Sequence, residues 1–195
     1  MLLKSALTVA LLLPPSSVCA TDAAAGTHPL DTKKSVITVH VFKAGFFSAF
    51  GHNHEVRAPI SAGSIGQGSS PSVELTIDTR KMLVVDADVS DKDRADIQST
   101  MLGPKVLDVA RYPEIRFRSR RVEQTRTGQW RISGELTLHG QTRPLTLEVS
   151  GSAGRYRGSS TLRQKDFGIT PVTVAGGTVK VKDEVRVDFD VLETP

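Results

Sequence analysis

The chain has 195 residues, one cysteine, 24% charged and 38% hydrophobic positions, and a formal charge of +4. That length fits one domain, or at most a small pair, and the composition excludes intrinsic disorder, collagen-like repeats and a disulfide-stapled miniprotein. Basic residues are scattered rather than blocked, so no nucleic-acid partner is expected, and with 5% aromatics no large aromatic cage is expected.

Residues 1–20 read as a secretory signal peptide. Lys4 supplies the positive start, Ala6–Leu13 the apolar run, and Val18-Cys19-Ala20 a cleavage site. The run is too short to span a bilayer. Cleavage is expected after Ala20, or slightly later in Ala23–Ala25, which predicts a periplasmic or secreted protein. A lipoprotein reading of Cys19 is the rival, but Val18 and Ser16 stand where a small residue and a leucine are wanted. Cleavage after Ala20 removes Cys19 and leaves a domain without thiol chemistry. Residues 21–32 read as a flexible N-terminal segment, and 33–195 as the folded domain.

From Ser35 the dominant period is two, the signature of half-buried strands. Ile37, Val39 and Val41 alternate with polar residues, as do Val73, Leu75 and Ile77. Ile115 and Phe117 follow, then Trp130, Ile132, Gly134, Leu136 and Leu138. Leu145, Leu147 and Val149 make another run, and Val179, Val181, Val185, Val187, Phe189 and Val191 the last. Turn signals separate these runs: the loop Gly66–Pro71, a tight turn at Thr127-Gly128, the connection His139–Pro144, and Gly176-Gly177. Short connections favour antiparallel pairing. One segment differs. Ser90 is placed to cap a helix from Asp91, which Gly103-Pro104 stops, and Lys105–Ala110 reads as a further helical turn. Ala95, Ile97, Met101, Leu102, Val106 and Leu107 are expected against the sheet, at one barrel end. Strands with one dry face each bury those faces together, and closure removes exposed edges, so the fold class is an all-β antiparallel barrel. At about eight strands its interior is either filled or holds one small ligand.

Three stretches carry a resemblance. They are Gly134–Leu147 (GELTLHGQTRPLTL), Ala110–Ser119 (ARYPEIRFRS), and Lys165–Ile169 followed by Asp183-Glu184-Val185 and the last strand. Together, and in this order behind a leader, they resemble the YceI-like family of polyisoprenoid-binding periplasmic proteins over about Lys33–Leu192. The resemblance implies a lipocalin-like barrel with a short helical segment near one end, and an apolar tunnel holding a polyisoprenoid or an isoprenoid quinone. Its signature residues mark turns and strands, so no catalytic residue, cofactor or metal is implied. The segments Gly51–Val56 and Asp93–Pro104 depart from the family pattern.

Candidate lining residues are the dry-face positions Val73, Leu75, Ile77, Phe117, Trp130, Ile132, Leu136, Leu138, Leu145, Leu147, Val185, Val187 and Phe189, with the aromatic cluster Phe42, Phe46, Phe47 and Phe50 near the first turn. Gly134 and Gly158 either make room inside or allow bends. His52 and His54, two apart on an extended segment, share a face. They are candidates for a head-group contact or, with His40 or His139, for the half-site of a metal-dependent enzyme. No HExxH, GxSxG, P-loop or GxGxxG motif is present. The acidic cluster Asp86, Asp88, Asp91, Asp93 and Asp96 lacks the EF-hand glycine and glutamate. Arg116, Arg118, Arg120 and Arg121 form a basic edge suited to transient contact with a membrane surface. The expected function is a carrier of an apolar isoprenoid-type lipid and not an enzyme. The alternatives are the histidine-dependent metalloenzyme and a ligand-free structural or stress-response barrel. No feature assigns an oligomeric state.

Overall fold

The computed structural model describes residues 26–44, 53–174 and 179–194. The leader, Phe46, Phe47, Phe50, His52 and Gly176-Gly177 lie outside the described residues. The strands are β1 (Thr27–Pro29), β2 (Val36–Ala44), β3 (His54–Arg57), β4 (Ile60–Gly66), β5 (Ser72–Asp78), β6 (Leu83–Val84), β7 (Glu114–Arg126), β8 (Gln129–Leu138), β9 (Gln141–Ser152), β10 (Arg155–Arg163), β11 (Thr173–Val174) and β12 (Val179–Leu192). The helix α1 is Asp91–Leu102.

Their pairing closes a ring. β1 pairs with β4 while β2 pairs with β3, so β1–β2 and β3–β4 are two long interrupted strands lying side by side. β5–β6 is a third, pairing with β4 and β3. From β5 the order runs β7, β8, β9, β10, β12 and back to β2, antiparallel throughout. The result is an eight-stranded antiparallel barrel, with β11 appended to β12. The break between β3 and β4 falls at Ala58-Pro59. Pro59 has no N–H to give a ladder, and the Ala58 N–H bonds the Ile37 carbonyl at 2.9 Å instead.

The structure differs from the sequence reading at three element boundaries. Thr27–Pro29 pairs with β4, and the buried Leu30 bridges to Glu193. The second half of the segment read as flexible therefore belongs to the wall. Three residues with a proline show no alternation, so nothing local betrays them. The connection read as His139–Pro144 is only the two-residue turn His139-Gly140, both at positive φ, and β9 already begins at Gln141. Lys105–Ala110 forms hydrogen-bonded turns back to Met101 and Gly103 rather than a helix.

α1 begins as its cap requires. Ser90 Oγ accepts the Asp93 N–H at 3.1 Å, the N-cap bond, and donates to the Asp93 carboxylate at 2.7 Å. Ile97, Met101 and Leu102 pack on the core, but Ala95 is exposed. Gln98 does the fastening. Its Nε2 donates to the Met82 carbonyl and its Oε1 accepts from the Val84 N–H, both at 2.8 Å.

Two devices keep polar groups out of the barrel and aromatic rings in. Plain alternation along β7 would turn Arg121 inward after Ile115, Phe117 and Ser119. A bulge between Ser119 and Arg121 leaves Arg120 and Arg121 both exposed and returns Val122 to the interior. The glycines Gly134 and Gly158 do not enlarge the lumen. A Cβ at Gly134 would stand 2.8 Å from the Phe117 ring, and one at Gly158 2.5 Å from the Phe189 ring, so each glycine lets an inward ring lie against the wall.

The outer face is a lattice of ion pairs. Arg118 pairs with Glu74 (2.8 Å), Arg120 with Glu135 (2.7 Å), Arg121 with Glu123 (2.7 Å) and Arg116 with Glu114. Each arginine of the basic edge expected from the sequence thus meets a carboxylate across or along the strands. Arg155 and Arg157 both hold Asp190, at 2.6 and 2.9 Å. The Arg155 guanidinium, seconded by Arg157, keeps the Asp190 carboxyl down at about 2. A carboxyl held below its unfolded value stabilises the fold above that unfolded value, and this contribution is lost as pH falls through the folded one. Asp190→Asn is therefore expected to cost on the order of 1 kcal/mol after solvent screening at neutral pH. In denaturant melts the gap to wild type should hold above about pH 4 and close between about pH 4 and 2.

Candidate ligand cavity

The inward faces do not meet. They enclose a cavity of about 630 Å³ that runs the length of the barrel, within the range of small-molecule sites. Val73, Leu75, Ile77, Phe117, Trp130, Ile132, Leu136, Leu138, Leu145, Leu147, Val185, Val187 and Phe189 all line it. Phe42 does not. It lies on the outward parity of β2, two residues from His40, with the Lys182 ammonium 5.9 Å from its ring centre. The wall also uses Ile37, Val39 and Val41, which the alternation of β2 already displays, and Tyr156 and Leu162 of β10. That strand escaped sequence reading because two of its inward positions are Gly158 and Ser160, which break the apolar rhythm. Leu30 and Val56 reach the cavity from segments too short to carry a period, while Met101 and Leu107 reach it from the segment expected to be helical and to pack on the sheet.

Apart from Ser160 on β10, the polar groups sit at the ends. At one end Met101, Val106 and Leu107 cover the lumen beneath α1, and Gln164 stands near it. At the other, Gln67, Gly68, Ser72 and Gln124 form the rim. There Trp130 and Tyr156 meet edge to face with ring centres 5.5 Å apart. Burial, with the Glu193 carboxylate 3.4 Å from the hydroxyl, pushes the Tyr156 phenol above its ordinary range, so it donates a hydrogen bond at neutral pH. Glu193 also accepts from Gln67 Nε2 at 3.3 Å and so pins the β4–β5 loop.

Residues 29–192, nearly the whole barrel, match the sequence profile of the YceI-like domain. The chain belongs to the YceI-like domain family. A UPF0312 protein of Vibrio cholerae serotype O1 is 28% identical over 130 residues, 62% of this chain and 63% of that protein. A UPF0312 protein of Pseudomonas syringae pv. tomato is 38% identical over 73 residues, 32% of this chain and 38% of that one. The chain thus spans less than two thirds of the length of these curated relatives. Among solved structures, BcnA of Burkholderia cenocepacia superposes with a TM-score of 0.65 at 18% identity, covering 85% of this chain and 99% of that one. A polyisoprenoid binding domain from Saccharophagus degradans gives 0.54 at 17% identity, covering 86% and 98%. At these identities the superpositions speak for the fold.

In this YceI-like domain the described histidines are dispersed. His54 Nδ1 lies 2.6 Å from Asp86 Oδ2, and Asp86 Oδ1 accepts the Glu55 N–H at 2.7 Å. His40, on the opposite face of the wall, contacts Asp188 (3.0 Å) and Glu55 (3.4 Å). His139 Nδ1 lies 3.1 Å from the Phe167 carbonyl and its ring packs on Tyr112. Strand parity therefore separates His54 from His40, and the barrel end occupies His139. No group of three metal-ligating side chains occurs among the described residues. The acidic cluster is likewise divided. Asp86 is buried against His54, Asp91 pairs with Arg94, Asp93 serves the cap and Asp96 meets Lys92.

Asp86 is the one carboxylate in the described core, and three groups grip its residue: His54, the Glu55 N–H, and Arg94 Nε on its carbonyl at 2.9 Å. Removing a partner from a buried pair leaves an uncompensated group. Asp86→Ala and His54→Ala are each expected to cost about 2–3 kcal/mol, and the double variant little more than either. A double-mutant cycle by urea denaturation checks this, and additive costs would disprove the coupling.

Proposed function

We propose that this domain is a carrier of an apolar isoprenoid-type lipid, a polyisoprenoid or an isoprenoid quinone, held along the barrel interior. The observation that carries the reading is the 630 Å³ lumen, whose wall is aliphatic and aromatic with polar atoms confined to its ends and one side. Burial supplies about 0.8 kcal/mol per CH2, hence roughly 3–4 kcal/mol per five-carbon isoprene unit. A few units offset the loss of ligand freedom on binding. No hydrogen bond along the tail is required, so the mechanism is burial and not bond-making. The naming of the Saccharophagus degradans domain as polyisoprenoid binding supports the same ligand class.

The reading places the protein in the periplasm after removal of residues 1–20, with transient contact at a membrane surface for loading and unloading. A head-group contact by His52 and His54 belongs to it, with His54 Nδ1 already engaged by Asp86. The test is an organic-solvent extract of the protein purified from the periplasm, read by mass spectrometry. One isoprenoid lipid near stoichiometric amount is expected. An empty extract, together with a delipidated protein that takes up no polyprenol, would overturn the proposal. Stoichiometric bound metal with enzymatic turnover would favour the metalloenzyme instead.

A further inference from the structure

The barrel wall has an unzipped seam. β9 and β10 leave the two-residue turn Ala153-Gly154 in regular register, from Ser152↔Arg155 to Glu148↔Ser159, and there the pairing ends. Both strands continue. β9 stays paired to β8 as far as Gln141, and β10 to β12 as far as Arg163. Continued in register, the next pairs would be Leu147 with Ser160, Thr146 with Thr161, Leu145 with Leu162 and Pro144 with Arg163.

Pro144 shows why the last of them does not form. A two-residue turn makes its closing pair, Leu138↔Gln141, a hydrogen-bonded one, and such pairs alternate along the ladder. Pro144 opposite Glu135 is then a non-bonded position toward β8, and its nitrogen faces β10. On that edge it has no hydrogen to donate. Among the described residues, Thr146 and Thr161 are left without a ladder partner on the facing edges.

Behind the seam lies the cavity. Leu145 and Leu147 on one bank and Ser160 and Leu162 on the other all line it. The seam is bounded by the Glu148↔Ser159 pair at its apex. At its base the single turn Gln164–Phe167 is pinned by Arg143 Nε to the Asp166 carbonyl at 2.9 Å and by His139 to the Phe167 carbonyl. Both barrel ends are tied by side-chain hydrogen bonds, Gln98 at one and Glu193 at the other. Spreading the seam parts Leu145 and Leu147 from Ser160 and Leu162 and breaks no sheet hydrogen bond.

We infer that the seam between β9 and β10 is a lateral gate, through which an apolar chain passes sideways between the cavity and its donor or acceptor. The inference rests on the reading of the cavity as a lipid site. A sideways slot suits a long flexible chain, because successive segments enter at the same place without threading past the polar rim.

The test bridges the banks on their outer side, at Thr146→Cys and Thr161→Cys in a Cys19→Ser chain. Both threonines face outward and neither lines the cavity. The thiols are joined by oxidation or by a short bis-maleimide, with a monofunctional maleimide as control, and a fluorescent farnesyl ester serves as probe. The bridge is expected to slow probe uptake and release by about tenfold or more while leaving the equilibrium Kd within roughly twofold. A bridged protein that exchanges probe at the unbridged rate overturns the gate and returns passage to a barrel end. Amide hydrogen exchange on the unmodified protein gives an independent reading. The Thr146 and Thr161 amides should exchange roughly a hundredfold faster than those of Glu148 and Ser159. Equal protection would mean a closed seam and would overturn the gate. Failure of the unbridged protein to bind the probe sinks the lipid reading instead, while the amide comparison still judges the seam.

Discussion

Leu147→Trp is expected to weaken binding of a polyprenol by about a hundredfold or more while leaving the fold intact. Leu147 is half-buried on β9 opposite Ile132, and its side chain projects into the lumen. An indole there occupies the space of roughly one isoprene unit, and losing about 3 kcal/mol of burial corresponds to a factor of about a hundred in Kd. The added atoms enter empty volume instead of a packed core, so the stability cost should stay under about 1.5 kcal/mol, the range of well-tolerated core exchanges. Fluorescence titration with a labelled polyprenol and a parallel urea melt measure both quantities. Severe destabilisation with unchanged binding would show that the interior is filled and that the ligand sits elsewhere.

Gly134→Val should do the reverse, with a loss of about 3 kcal/mol of stability at the upper end of over-packing costs. A Cβ at this position stands 2.4 Å from the Arg118 carbonyl oxygen and 2.9 Å from the Ser119 Cα, both backbone atoms of the neighbouring strand. The ring of Phe117, at 2.8 Å, can swing away, but the backbone of β7 cannot move without opening the ladder beside the bulge. Adding Phe117→Leu should therefore recover only a minor part of the loss. A lower urea midpoint at unchanged m-value is the expected signature. Full rescue by Phe117→Leu would show that the ring alone, and not the strand, sets the requirement for glycine.

The sequence reading succeeded where a single local rule governed. Period-two runs in β5, β8, β9 and β12 announced their inward faces because each strand is long and half wet. Ser90 announced α1 because the cap needs only its own first turn. The reading failed where the rule was non-local. Thr27–Pro29 is a strand only because β4 lies beside it. Phe42 looked like part of an aromatic lining because aromatics are apolar, yet strand parity turns it outward toward Lys182. The four arginines of β7 looked like a basic edge because two of their carboxylates come from other strands, Glu74 of β5 and Glu135 of β8. His54 looked available as a ligand because Asp86, its partner, is 32 residues away.

What the amino-acid order determined by itself is the alternation, the turns, the helix start and the family, since each depends on residues within a few positions of one another or on a string of motifs. Tertiary structure alone decided that the barrel is hollow. Side-chain volumes add up along a chain, but free space is the difference between those volumes and the circumference that eight staggered strands enclose. It also decided where the wall comes apart. Pro144 is visible in the sequence, but only the registers of β8 with β9 and of β9 with β10 show which edge its missing hydrogen faces.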